Sequence, residues 1–436
     1  MVQRNLLHEM FTIPVVTEQG EMNIFYFPLK KAAFMADAIS SQQILDYVSR
    51  RNSTTSDNHL EETDAAKIIN QILNITDNKP SKNHRLDNNR TATIIPTEKC
   101  NLGCIYCYAH DSHCSATLTE ADIRCIIDYM FNKSTKYLPK FTMIGGGEPL
   151  VEWDLIKFAV LYAEKRNNGK HVDFGVATNL TLITPEIADF IAKHKISISA
   201  SYDILPDIQN TQRPFADGTE SYDAVNTSIH TLISHGVIPR IRSTIMEQSV
   251  ECMSDMVEFV HTAYPEIKYI HLEHVSSNEL KPESCYYEKF VRHFFEARDK
   301  AKSYGIKLSN SLISSCNNVR DVFCGGELCF TPSRKIVSCH RMSGEDDAQH
   351  GVFQYGSFDG EIEISLEMKK TVQQTISKKL ARCDTCFAKY NCAGGCTYNK
   401  QTLTPEQFDA YCTFAKNMVK QYLLAKVLEG NKTSQS

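Results

Sequence analysis

Cys100, Cys104 and Cys107 lie in the run Pro96-Thr97-Glu98-Lys99-Cys100-Asn101-Leu102-Gly103-Cys104-Ile105-Tyr106-Cys107-Tyr108, a C-x3-C-x2-C spacing with an aromatic residue before the last cysteine. An iron–sulfur cubane wants four soft thiolate ligands. Three on one short loop hold three irons and leave the fourth without a protein ligand. An open metal position is where chemistry happens. Structural zinc favours closed four-ligand sites, usually built from C-x2-C pairs, and fits this spacing poorly. The rest of the chain has to present such a loop, and that requirement constrains its fold.

The other cysteines divide the chain. It has 436 residues and 16 cysteines, with none before Cys100 and nine from Cys316 to Cys412. This length is enough for two or three domains. A net charge of −5 gives no reason to expect nucleic acid as a partner. No apolar run approaches membrane-spanning length, and Met1-Val2-Gln3-Arg4-Asn5 leads into no secretory segment. So many cysteines in a large chain of this kind indicate metal binding in a reducing compartment, which makes the cytoplasm the expected location.

Residues 1–85 read as a separate α+β unit. Met22–Leu29 and Ala32–Met35 look like two strands about a turn, and Ser41–Val48 and Ala65–Leu73 carry helical apolar stripes. Arg50–Glu62 and Thr76–Arg90 are polar, and the second reads as a linker. Residues 91–305 alternate strand and helix. The strands are Thr91–Pro96, Phe141–Ile144, Val172–Ala177, Ile196–Ser201, Pro239–Ile245 and Lys268–Glu273. The helices include Glu120–Phe131, Thr184–Lys193, Tyr222–His235 and Ser254–Ala263, with Thr119 and Thr184 as N-caps. Six such units predict an α/β fold, a partial (β/α)6 barrel with a parallel sheet and right-handed crossovers. Functional residues of such a sheet gather at the C-terminal ends of its strands, which is where the Cys100 loop falls. Residues 306–428 form the cysteine-dense region, and 429–436 a polar tail expected to be disordered.

The Cys100 loop resembles the cluster loop of radical S-adenosylmethionine (SAM) enzymes. The resemblance implies that SAM chelates the open iron and is cleaved to methionine and a 5′-deoxyadenosyl radical, which takes a hydrogen atom from substrate. Tyr106 is then part of the cofactor site. Gly145-Gly146-Gly147-Glu148-Pro149-Leu150 follows the second strand and resembles the family's GGEP motif, whose role is to receive the amino group of SAM. Its glycines allow close backbone approach to a ligand. Asn179 ends the third strand where relatives have Thr-Asn-Gly, with Leu180 replacing the glycine. Ser201-Tyr202-Asp203-Ile204 resembles Ser-Leu-Asp-Gly, again without the glycine. Asn210-Thr211-Gln212-Arg213 resembles an Asp-x-x-Arg element, and Arg213 is the candidate partner of the SAM carboxylate, which a guanidinium matches in two-pronged geometry. On the residues alone, Arg213 could equally form a surface ion pair, and Ser201 and Asp203 could cap the next turn.

On the sixth strand, His271 and Glu273 alternate with Ile270 and Leu272, so both face one side. If that side lines the barrel, burial would raise the Glu273 carboxyl and suit it to take a substrate proton.

Cys383, Cys386, Cys392 and Cys396 give C-x2-C-x5-C-x3-C, with Cys412 after them and Cys316, Cys324 and Cys339 before. Eight ligands can complete two four-cysteine clusters, although C-x2-C is also a zinc pair. The arrangement resembles the SPASM extension, which binds two auxiliary 4Fe–4S clusters. By resemblance, Cys316, Cys324, Cys339 and Cys396 hold the first, and Cys383, Cys386, Cys392 and Cys412 the second. Cys329 is the alternative to Cys316. Arg334 stands where relatives often have glycine, and Cys114, Cys125, Cys252 and Cys285 read as packing residues.

SPASM proteins with a small N-terminal unit resemble maturases of ribosomally made peptides. There the unit can be a winged-helix-like element that binds the precursor's leader, and adding a strand to a sheet edge would be one mode of doing so. The resemblance implies a peptide precursor with a leader as substrate, and flavodoxin or ferredoxin as electron donor. The product would be a thioether, carbon–carbon or ether crosslink, or an epimerised residue. Two other readings are an anaerobic sulfatase-type maturase and a non-catalytic iron–sulfur electron carrier or adaptor. Sulfatase maturases place an aspartate base after the Cys339 position and a glutamine before GGEP. This chain has His340 and Gly145 there, which makes His340 a second candidate for proton handling beside Glu273.

Overall fold

Four short strands open the chain and are followed by two helices. The structure, a computed structural model, describes residues 3–5, 9–53, 63–81, 86, 90–110, 113–134, 137–276, 283–344 and 349–433. Strands β1 (Gln3–Asn5), β2 (Met10–Thr17), β3 (Gly20–Phe27) and β4 (Ala32–Ala36) form an antiparallel meander, with helices α1 (Ala38–Ser53) and α2 (Asp64–Leu73) after it. Sequence reading found β3 and β4 but missed β2, whose first four residues are all buried while Pro14 and Val16 further along are exposed. Met10, Phe25 and Phe27 face α1 and α2. Phe11, Ile13, Val15, Ile24 and Tyr26, on the other face, pack against Phe387, Ala388, Val419 and Leu423 near the far end of the chain. The Tyr26 hydroxyl donates to Asn391 Oδ1 at 3.1 Å.

The stretch expected to be a linker is partly built into the body. Ser81 bridges to Arg320, and Leu86 is buried in the main core against Gly326. Residues 82–85 and 87–89 of that stretch, and 54–62 of the earlier polar stretch, lie outside the described residues.

The central sheet is wound in one direction. Its strands are β5 (Thr91–Ile94), β6 (Lys140–Met143), β7 (Asp173–Thr178), β8 (Ser197–Ser201), β9 (Arg240–Ile245) and β10 (Tyr269–His274), adjacent in chain order and parallel. Between them lie α3 (Glu120–Lys133), α4 (Trp153–Arg166), α5 (Pro185–Lys193), α6 (Pro206–Gln212), α7 (Tyr222–Ser234) and α8 (Met253–Ala263). This is the expected α/β partial barrel. Thr119 closes a capping box with Asp122, and the Thr184 hydroxyl accepts from the Ile187 amide, as the sequence predicts. Period-two alternation buries Ile198 and Ala200 of β8 and leaves Ser199 and Ser201 on the opposite face.

The sheet continues past both ends of the barrel. After α9 (Ser284–Ser303), β11 (Lys307–Ser309) pairs in parallel with β10, although it lies beyond the boundary expected at 305. Helix α10 (Ser311–Cys316) follows. On the far side, β12 (Cys329–Phe330) pairs with β5, and β13 (Lys335–Val337), β14 (Gln354–Asp359) and β15 (Glu361–Ile364) complete an antiparallel extension, with α11 (His350–Phe353) before β14. The cysteine-rich region thus grows out of the strand that carries the Cys100 loop. Helices α12 (Leu366–Ser377), α13 (Thr397–Thr402) and α14 (Pro405–Thr433) close it. The tail expected to be disordered from 429 is helical through Thr433, because α14 packs along α9 and Glu429 pairs with Lys302. Residues 434–436 lie outside the described residues.

Candidate functional site

The Cys100 loop follows β5 and is tied to the glycine turn after β6. Gly147 N donates to Thr97 O at 2.9 Å and Glu148 N to Lys99 O at 2.8 Å. A Cβ on Gly147 would stand 1.9 Å from Lys99 O, so only glycine lets the two loops meet. Gly146 has φ +65, and a Cβ there would lie 2.7 Å from Ile95. Pro149 is buried and starts the 3-10 turn Pro149–Glu152.

Glu148 is buried, and its carboxylate accepts from Thr178 Oγ1 at 2.7 Å, Leu150 N at 3.0 Å and Asn179 N at 2.7 Å. Burial holds its carboxyl above the ordinary range against the pull of these donors. Its side chain therefore locks the glycine turn to the end of β7, leaving about one of four acceptor positions for a ligand. Asn179 Nδ2 reaches Asn101 Oδ1 at 2.8 Å and so ties the same strand end to the cysteine loop.

Asp203 is fully buried and is a hub rather than a turn cap. It accepts from Ser243 Oγ, Thr244 N, Tyr106 Oη and Gln212 Nε2 at 3.1, 3.0, 2.8 and 2.7 Å. Tyr106 also accepts from Arg213 at 2.8 Å, so its hydroxyl relays between Arg213 and Asp203. Arg213 is 8% exposed, which removes the surface ion-pair reading. Burial disfavours its charge, but Cys104, Tyr106 and Asp203 more than offset this. Its Nε is buried with no partner among the described residues. Burial likewise pushes the Cys104 thiol up to about 12 in the metal-free protein. Ser201 is half-buried on the same strand end. An orphaned guanidinium N–H beside three thiols and a buried carboxylate fits a ligand that brings a carboxylate and an amine, as SAM does.

The glycines missing from the sequence are not missing from the backbone. Leu180, Ile204 and Arg334 have φ of 67, 68 and 59°. All three keep the left-handed conformation that glycine would adopt freely.

Glu273 departs from expectation. It accepts from His271 Nε2 and His274 Nδ1 at 2.9 Å, Asn310 Nδ2 at 3.0 Å, Ser311 N at 3.1 Å and the Ser311 hydroxyl. Burial alone would raise this carboxyl, but the two histidines more than reverse it, and it sits well below the ordinary value. A carboxylate so saturated is a poor base at neutral pH. Its work is to fasten β10 to the start of α10.

His340 is better placed. Its Nδ1 lies 3.1 and 3.2 Å from the Glu327 carboxylate oxygens. A Cβ built on Gly145 would meet Tyr108 Oη at 3.0 Å and His340 at 3.8 Å. The two positions that depart from the sulfatase-maturase pattern thus lie side by side. Arg341 stacks on Tyr108 and Tyr398 and donates to Ser276 at the end of β10. Tyr108, Glu327 and Arg341 were missed in the sequence, because nothing local marks residues that a fold brings together from three regions.

Four cysteines in the C-terminal region, Cys383, Cys386, Cys392 and Cys412, line one cavity of about 210 Å³. Ala393, Gly394 and Gly395, all with positive φ, turn the chain between Cys392 and Cys396. A second group forms around Cys339, whose thiol is raised by burial and then by Cys396, Glu327 and Cys324. The Cys316 sulfur donates to Leu312 O and flanks the apolar cluster under the N-terminal sheet, where Tyr26 feels it. Cys329 is fully buried in the cluster that Cys339 and Cys396 flank. Cys114 and Cys285 are exposed, so they do not pack the core, and Cys114 donates to Glu98 at 2.8 Å. Among the described residues, no three His, Cys, Asp or Glu side chains converge as a single metal ion would need. No helix there is long and apolar enough to cross a membrane.

Residues 94–263 match the model of the Radical SAM superfamily, so this region is a radical SAM domain, which implies SAM and one 4Fe–4S cluster as cofactors. The chain is 23% identical over 253 residues to the radical SAM cyclopropyl synthase TigE of Paramaledivibacter caminithermalis, covering 53% of this chain and 52% of that protein. It is 28% identical over 164 residues to an uncharacterized protein of Methanocaldococcus jannaschii, covering 38% and 56%. The chain thus spans about half the length of these relatives. A serine-type anaerobic sulfatase-maturating enzyme of Bacteroides thetaiotaomicron is 25% identical over 166 residues, covering 37% and 40%. The structure of native anSMEcpe with bound AdoMet superposes with a TM-score of 0.64 at 16% identity, over 79% of this chain and 99% of that one, and so shares its fold. Residues 94–263 are therefore a radical SAM domain, and the chain is similar to peptide-modifying and sulfatase-maturating proteins that carry such a domain.

Proposed function

We propose that this protein is a maturase that modifies a ribosomally made precursor peptide by radical chemistry, with SPASM-type auxiliary clusters at both C-terminal cysteine groups. The observation that carries this reading is the cysteine quartet at a single cavity, with the N-terminal sheet packed beside it. Cys100, Cys104 and Cys107 would hold the cluster that binds SAM, and the pair would supply the radical chemistry that removes a hydrogen atom from the peptide. Arg213 pairs with the SAM carboxylate through its free Nε. The backbone of Gly146 and Gly147 and the remaining acceptor position of Glu148 receive the amino group. Asn179, Ser201, Asp203 and Tyr106 hold these groups in place. In the first auxiliary site, Cys329 takes the place expected for Cys316, beside Cys324, Cys339 and Cys396. The N-terminal unit binds the leader and does no chemistry.

When the modified residue closes its new bond, it loses one electron and one proton: the auxiliary clusters would accept the electron, and His340 takes the proton. Glu327 orients the ring through Nδ1 and leaves Nε2 toward the space beside Gly145 and Tyr108. The test is His340→Gln with a candidate precursor, SAM and an anaerobic reductant. 5′-Deoxyadenosine should still form, while modified peptide measured by mass spectrometry falls at least about tenfold. Product and 5′-deoxyadenosine that stay coupled as in wild type would remove His340 from this role. Absence of 5′-deoxyadenosine from the wild-type protein would favour the carrier reading. Modification of a sulfatase-derived peptide to formylglycine would favour the sulfatase maturase.

A further inference from the structure

Arg341 is a cation without an ion-pair partner among the described residues, whereas Arg166, Arg334 and Arg382 each meet a carboxylate. Its guanidinium carbon lies 5.0 Å from the centre of the Tyr108 ring and 4.3 Å from that of Tyr398. Nη1 donates to Ser276 Oγ at 3.0 Å, and Nη2 donates to Ser276 O. Ser276, two residues past β10, donates in turn to Asn399 Oδ1 at 3.3 Å. The Cys100 loop, the end of the last barrel strand and α13 after Cys396 thus hold the guanidinium from three directions. It stands over the tyrosine that closes on Gly145, beside His340. Ser276 occupies the edge of the fork formed by the two Nη groups. The other edge is unused, since Nε is buried with no hydrogen-bond partner among the described residues. Tyrosine faces attract a cation but do not satisfy an in-plane N–H. A planar fork held in place with one edge open matches a carboxylate in two-pronged geometry.

We propose that Arg341 binds a carboxylate of the peptide substrate, from an acidic side chain near the modified residue or from the peptide's C-terminus, and so sets which residue meets His340. The proposal rests on the maturase reading above. The competing role is to answer the charge of a cluster at Cys339, to whose thiol the Arg341 backbone N–H already donates.

The experiment uses the full chain, reconstituted anaerobically and loaded with SAM, in affinity selection read by mass spectrometry. Three random hexapeptide pools are the probes. The first is acetylated and amidated and contains Asp and Glu. The second lacks both but has a free C-terminus. The third lacks both and is amidated. Wild type should retain the first or the second about tenfold over the third, as a charge-assisted two-pronged pair implies. The retained pool identifies the source of the carboxylate. Arg341→Gln should abolish the preference, and Arg341→Lys, which keeps the charge without the fork, should keep part of it. Iron analysis checks that both variants hold their clusters, and the wild-type comparison stands without them. Measurable but equal retention of the three pools by wild type would overturn the proposal, as would a preference that persists in Arg341→Gln. A cluster potential that shifts in Arg341→Gln while the preference persists would assign the residue to Cys339's cluster instead. If wild type retains no pool, glutarate separates the two layers. Protection of Arg341 from phenylglyoxal by glutarate would keep the carboxylate site and remove the peptide reading, and lack of protection would remove the site.

Discussion

Ile204 shows how a residue can keep a backbone conformation at its own expense. A β-branched side chain at φ 68° costs about 1–2 kcal/mol. Ile204 is fully buried, and truncating such a side chain costs about 2–5 kcal/mol. Ile204→Gly should therefore destabilise by about 1–3 kcal/mol in chemical denaturation, the cavity outweighing the relieved strain. Arg334→Gly loses ion pairs of a half-exposed side chain with Asp122 and Asp359 but sheds backbone strain of about the same size, and should unfold within error of wild type. A stabilising Ile204→Gly would mean that strain dominates there. Glu273 shows the opposite kind of residue, one whose role the sequence misstated. Alternation correctly placed it with His271 on one face, but no local signal says that Asn310 and Ser311, more than thirty residues away, will saturate it. Its folded carboxyl lies below its unfolded one, so it stabilises the protein above an ordinary carboxyl pKa of about 4.3, and that stability is lost as pH falls through the lower folded value. Glu273→Gln should cost about 1–3 kcal/mol near neutral pH, and the gap from wild type should close on acidification. A gap independent of pH down to acid unfolding would contradict this. The variant should also keep product coupled to 5′-deoxyadenosine.

At the scale of elements, the barrel was the most legible part. Strands β5 to β10 and four of their helices were readable because apolar alternation and helical stripes are local, and because Thr119 and Thr184 announce their helices. The cysteine loops were legible as spacing but not as partnership. Cys316 has the right place in the sequence for the first auxiliary site, yet α10 carries it under the N-terminal sheet. Cys329 has no motif around it, and pairing of β12 with β13 brings it beside Cys339. Cys316→Ser should leave iron content at the wild-type level, while Cys329→Ser should lower it by up to about four irons. The reverse pattern, measured by iron analysis and Mössbauer spectroscopy, would restore Cys316 as the ligand.

At the scale of the molecule, an N-terminal sheet, a radical SAM barrel and a cysteine-rich extension share continuous packing. The extension's β12 hydrogen-bonds to β5, and the N-terminal sheet covers Phe387 and Ala388 beside Cys386. The sequence hid this second contact, since period-two patterns show that a face is buried but not what buries it. The N-terminal sheet therefore lies beside the second cysteine group, while the Cys100 loop belongs to the other, 11-stranded sheet. The central claim is that one chain carries one SAM-binding cluster and two auxiliary clusters, and iron content of the anaerobically reconstituted protein tests it most directly. Wild type should hold about twelve irons, and Cys100→Ala/Cys104→Ala/Cys107→Ala about eight, with SAM cleavage lost. Two zincs with about four irons would contradict the auxiliary sites and leave only the barrel's cluster standing.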